Sequence, residues 1–124
     1  MQRLILIAAM GAMGTLARYW LSLLIQRAAG GVFPWGTFAV NMIGSFLFGV
    51  VWSLAEERMV IDTETRGIIL TGFMGAFTTF STFMFDTGKL LTDGNWPLAL
   101  GHVAAQVVIG LICLFVGLGL GRLF

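Results

Sequence analysis

The sequence is short of charge. Its 124 residues hold seven Lys and Arg and six Asp and Glu, so only 10% of the chain is charged. A water-soluble domain carries about 25%. A fold of this length could not cover its surface with ionised groups, and the solvent it is built for is lipid. No basic run exists that could track a phosphate backbone, which argues against nucleic acid as a partner. The single cysteine, Cys113, sits in an apolar run, so neither an intramolecular disulfide nor a cysteine-based metal site can form. The chemistry-bearing motifs are missing too. There is no His-Glu-x-x-His, no Ser-His-Asp arrangement at matching depth and no Gly-x-x-x-x-Gly-Lys-Ser/Thr loop, so the chain reads as neither an enzyme nor an ATP-driven pump.

What is present is apolar: 58% of residues are hydrophobic and the mean hydropathy is +0.95. A membrane-crossing helix needs about 20 mainly apolar residues to span about 30 Å of hydrocarbon. Four such runs can be marked out. The first goes from Leu4 to about Ile25 and has no small-residue cleavage site, so it reads as a retained helix and not a leader. Gln26, Arg27, Gly30, Gly31 and Pro34 close it. The second runs from Trp35 to about Ala55 and stops at Glu56-Glu57-Arg58. The third extends from Gly67 to about Leu91, and the fourth from Leu98 to about Leu120, with Pro97 placed to open it. The fold class is therefore all-α integral membrane, with residues 1–124 forming one four-helix domain.

Four spans put both termini on one side. That side carries Arg3, Arg58, Arg66 and Arg122; the other carries Arg27 and Lys89, with Arg18 near it. Four against three is a weak bias under the positive-inside rule. It is compatible with a miscounted boundary and with insertion in both orientations.

Several residues are polar where polarity is costly. Asn41 lies inside the second run, where it serves either an interhelical hydrogen bond or a polar pathway. In the third run, Gly72-Phe73-Met74-Gly75-Ala76-Phe77-Thr78-Thr79-Phe80-Ser81-Thr82-Phe83 concentrates Gly, Thr and Ser near mid-membrane. Two glycines followed by β-branched threonines weaken a helix, and a break would free carbonyls able to hold a small cation. The alternative is a continuous helix whose hydroxyls bond back to their own turn. Phe77, Phe80 and Phe83 recur every three residues, roughly along one face. They either pack or turn electropositive ring edges toward an anion. Arg18 either snorkels or draws anions to a vestibule. His102 and Gln106, one turn apart, give the fourth run a thin polar character. Gly117 and Gly121 form a small-xxx-small pair for helix packing.

Three segments taken together carry a family resemblance: Gly-x-x-x-Arg-Tyr (Gly14 to Tyr19), Gly-Thr-Phe-x-Val-Asn-x-x-Gly-Ser (Gly36 to Ser45) and Gly-Phe-x-Gly-x-Phe-Thr-Thr-Phe-Ser-Thr-Phe (Gly72 to Phe83). In this order and at this length they resemble the CrcB/Fluc fluoride channel family, over essentially the whole chain. The resemblance implies an antiparallel, dual-topology homodimer in the bacterial inner membrane, with a break in the third helix. It also implies two fluoride pores and passive efflux that lowers cytoplasmic fluoride. Carried over by motif, Asn41 is a pore donor, Phe80 and Phe83 offer ring edges, and Ser81 and Thr82 supply polar hydrogens. Arg18 lies at an aqueous vestibule. Gly75 and Thr78 give carbonyls to a structural sodium ion that is not transported. The fourth run departs from the family's hydroxyl pattern and offers His102 and Gln106 instead.

Two rival functions have discriminators in the sequence. A proton-coupled drug exporter needs an intramembrane carboxylate, and only Asp86, toward the end of the third run near Lys89, is available. A packing subunit would account for the glycines but not for the polar centre of the third run.

Overall fold

The computed structural model describes residues 1–124 and is all helical. Helix α1 spans Gln2–Ala29 and α2 spans Trp35–Glu56. The third span is assembled from pieces: a short α3 (Thr63–Gly67), a π-helical stretch (Ile68–Met74), α4 (Gly75–Phe77) and α5 (Phe80–Thr92). Helix α6 covers Trp96–Leu123, with Pro97 in its first turn as expected. Taken as four units, these helices are long and apolar enough to cross a membrane. This is a multi-pass membrane protein.

The burial pattern is inverted relative to a soluble fold. Only 22 of 124 residues are buried, and they include Thr37, Ser53, Thr87, His102 and Gln106, while Leu4, Leu24, Leu111 and Phe115 lie exposed. Lipid tails solvate leucine as well as a protein interior does, so helix association must come from close packing and interhelical hydrogen bonds. Both are present between α2 and α6. A Cβ on Gly117 would stand 2.1 Å from the Phe46 carbonyl oxygen, and one on Gly49 would stand 2.4 Å from that of Leu114. Ser53 Oγ donates to the Leu118 carbonyl at 2.8 Å. Gly121 extends the contact onto Val50 and Ser53, whereas Gly119 faces open space. The Gly117/Gly121 pair thus does the packing its spacing suggests.

Helix α1 lies against the π-helical stretch. Gly14 meets the Phe73 carbonyl, and Gly72 meets Ile7 and Met10, at distances that leave no room for a Cβ. At one end of the bundle, Arg122 grips Glu57 through two bonds of 2.6 and 3.0 Å, Arg66 pairs with Glu56 beneath Trp52, and Arg58 reaches the Phe124 carbonyl. The arginines assigned to the side shared by the loop after α2 and the C-terminus gather there.

Candidate ion pathway at the broken third span

The helical path fails at two residues. Thr78 (φ −88°, ψ 156°) and Thr79 (φ −148°, ψ 118°) are extended, and the two ends of the break are capped in different ways, one by its own threonine and one by another helix. Helix α5 begins with a side-chain cap. Thr79 Oγ1 accepts from the Thr82 N–H at 3.3 Å and donates to Thr82 Oγ1 at 3.0 Å. Thr78 Oγ1 donates back to the Met74 carbonyl. On α1, Arg18 Nε donates to the Ala76 carbonyl at 2.9 Å, so a cation sits at the negative end of the α3–α4 half-helix.

Asn41 of α2 splints the break itself. Its Oδ1 accepts the Thr79 N–H at 2.9 Å, and its Nδ2 donates to the carbonyl of the same residue at 3.1 Å. The side-chain amide pairs with Thr79 as a neighbouring peptide would in a sheet. Gly44, one turn along α2, sits against the Thr78 methyl, where a Cβ would be 2.2 Å away. Because Asn41 takes the Thr79 N–H, the Gly75 carbonyl loses its helical donor. Because Thr79 Oγ1 takes the Thr82 N–H, the Thr78 carbonyl loses its own. Gly75 lies on the exposed side of the chain.

Beside the break is a cavity of about 560 Å³ whose walls include Asn41, Thr78, Thr79, Phe80, Phe83 and Gln106. Four of the residues singled out for an anion path or a cation site, Asn41, Thr78, Phe80 and Phe83, therefore share one space. The rings of Phe80 and Phe83 meet edge to face, with centroids 5.7 Å apart. Phe83 is buried, but Phe80 is 72% exposed, so one wall of the cavity is open. Ser81 is exposed and Thr82 is tied to Thr79; neither lines this cavity. Phe77 leaves the aromatic row. The extended pair Thr78–Thr79 resets the helical phase, and Phe77 stacks on Phe73 at 5.6 Å instead.

Polar residues continue from the cavity into the bundle. Asn41 Nδ2 also donates to Gln106 Oε1 at 3.2 Å, and beyond Gln106 lie His102 and Thr87. Thr87 and Asp86 were not singled out as pathway residues. Asp86 Oδ2 accepts from Thr37 Oγ1 at 2.6 Å and lines a second cavity, of about 630 Å³, with Tyr19, Ser22, Gln26 and Lys89. A carboxylate inside a span is a functional signal in its own right; in the sequence it bears only on the rival exporter reading. Arg18 does not line this second cavity, although its neighbour Tyr19 does.

Comparison with known proteins places the chain in a family. Residues 5–118 match the family described as CrcB-like protein, Camphor Resistance (CrcB). A fluoride-specific ion channel FluC from Solidesulfovibrio magneticus is 54% identical, covering 99% of this chain and 98% of its own. Proteins of the same name from Nitrosococcus oceani and Nitratidesulfovibrio vulgaris are 53% and 49% identical, the first covering 98% of both chains and the second 99% of both. The chain is not an enzyme: it belongs to the CrcB family of fluoride ion channels.

Proposed function

We propose that the chain conducts fluoride passively out of a bacterial cell across its inner membrane, as an antiparallel, dual-topology homodimer with two pores. The observation that carries this reading is the open cavity beside the broken span. There an amide and two phenyl rings face one space with no cationic side chain among them. A lysine or arginine in that position would bind an anion too strongly to release it, and conduction needs weak, successive contacts. Ring edges are electropositive and interact weakly. The Nδ2 hydrogens of Asn41 are already engaged by Thr79 and Gln106. A passing anion must compete for them, and fluoride, the strongest hydrogen-bond acceptor among the halides, does so best. Ser81 and Thr82 would supply further hydroxyl hydrogens, and Arg18 a positive field at the approach.

The missing wall supports a dimer. Phe80 is exposed on a single chain, and a second copy would enclose it. A weak positive-inside bias allows the two copies to insert oppositely. The Gly75 and Thr78 carbonyls, both without helical donors, suit a hard cation that prefers oxygen ligands. Two copies would present four such oxygens to a structural sodium ion, which would supply fixed positive charge between the half-helices.

The proposal is tested in cells. A bacterium lacking fluoride export should regain growth in otherwise inhibitory fluoride when it expresses this chain, and the Asn41→Leu variant should not restore it. No rescue by well-expressed wild-type protein would count against the proposal.

A further inference from the structure

The buried residues His102 and Gln106 connect Asn41 to Phe83, and the direction of every hydrogen bond between them can be deduced. Thr87 Oγ1 donates to the Phe83 carbonyl at 2.8 Å. A hydroxyl has one proton, so only a lone pair remains for His102 Nδ1, 3.1 Å away. Nδ1 must therefore carry the hydrogen. In a neutral ring Nε2 is then an acceptor, and it receives the Gln106 Nε2–H at 3.1 Å. That leaves Gln106 Oε1 to face Asn41 Nδ2.

The same sense follows from the other end. The Thr79 N–H can only donate, so it fixes Oδ1 of Asn41 on its side and Nδ2 toward Gln106. The two deductions meet at the Asn41–Gln106 link without conflict. Reversing any one member would set two donors or two acceptors face to face, which is costly in a buried site. The rings of Phe33 and Phe83 stand edge-on to the imidazole at 5.2 and 5.0 Å and hold its plane.

We propose that His102 is a positioning residue: its Nδ1–H tautomer, acting through Gln106, holds the Asn41 amide in the orientation that splints Thr79 and presents Nδ2 to the cavity. This rests on the reading of Asn41 as a fluoride donor. The device needs one donor and one acceptor on opposite sides of a single side chain, which a neutral imidazole provides.

His102 is the chain's only histidine, so ring-labelled protein in lipid bilayers gives an unambiguous ¹⁵N spectrum. The expected result at neutral pH is a protonated Nδ1 and a bare Nε2, the tautomer that imidazoles in water disfavour. An Nε2–H tautomer, or a doubly protonated ring, would overturn the proposal.

A matched pair of variants supplies the functional readout. Gln in place of His102 reaches the Nε2 position and keeps an acceptor for Gln106. Asn reaches only the Nδ1 position and keeps Thr87 alone. Fluoride efflux from liposomes should stay near the wild-type rate in His102→Gln and fall at least about fivefold in His102→Asn, the scale of one lost buried hydrogen bond. Equal rates in the two folded variants would overturn the relay. Absence of fluoride flux from wild-type protein would instead overturn the channel reading, which separates the two failures.

Discussion

Replacing Asn41 with Leu, a side chain of similar size, removes three hydrogen bonds: two to Thr79 and one to Gln106. Side-chain hydrogen bonds inside membrane proteins average about 0.6 kcal/mol each, so their direct loss amounts to about 2 kcal/mol. A stranded Thr79 N–H adds about 1–3 kcal/mol if it stays unpaired. It has one escape, which is to return to the Gly75 carbonyl by closing the break into continuous helix. Either route is visible. Thermal unfolding in detergent should move down by the equivalent of about 3–5 kcal/mol if the N–H is stranded and about 2 kcal/mol if the helix closes. Amide exchange at Thr79 should change, faster if the N–H is stranded and slower if it joins a helix. Fluoride efflux should be lost in both cases, because Nδ2 is gone and the cavity wall is reshaped. A folded Asn41→Leu protein with wild-type unfolding temperature, exchange and flux would refute the assignment of Asn41 as both splint and donor.

Other perturbations test separate parts of the account. Phe80→Ile and Phe83→Ile keep bulk but remove the ring quadrupole, and each should lower fluoride flux about tenfold, the scale of an aromatic edge interaction; unchanged flux would show that the rings merely pack. Gly117→Leu drives a Cβ into the Phe46 carbonyl and should destabilise by about 1–3 kcal/mol or more, whereas Gly119→Ala, which meets nothing within 4 Å, should leave the unfolding temperature unchanged. Asp62 caps α3 by accepting from the Thr65 N–H and hydroxyl, which holds its carboxyl below the usual carboxylate range. A depressed carboxylate stabilises fully above its unfolded pKa and ceases to as pH falls through the folded one. Exchange protection at Thr65 should therefore persist at neutral pH and decline only in acid below that range, and Asp62→Asn should flatten the profile.

The four spans were legible because lipid imposes a simple rule on composition: Trp35, Glu56 and Pro97 fall within a residue or two of the ends that hydropathy and helix-start chemistry assign. The weakness of the third span was legible too, from Gly72, Gly75, Thr78 and Thr79. Its exact form was not. Which residues leave the helix depends on Asn41, 38 positions away, and on Arg18, 58 positions from Ala76. Local propensity carries no information about such partners. The π-helical turn at Ile68–Met74 likewise has no local signature; it lies where Gly72 and Phe73 press against α1. Asn41, Phe80 and Phe83, brought together in the sequence only by the family resemblance, line one cavity, but the continuation through Gln106 and His102 to Thr87 required the packing of α5 on α6. Phe77 was misplaced on the aromatic row for the same reason: a period of three assumes an unbroken helix.

Selective fluoride conduction is read most directly in an efflux measurement. Purified protein is reconstituted into liposomes loaded with both fluoride and chloride, and each anion is followed by its own electrode after the potential is clamped. A selective channel should release fluoride rapidly and chloride no faster than protein-free vesicles do. Comparable release of the two anions, or none of either from well-folded protein, would contradict it.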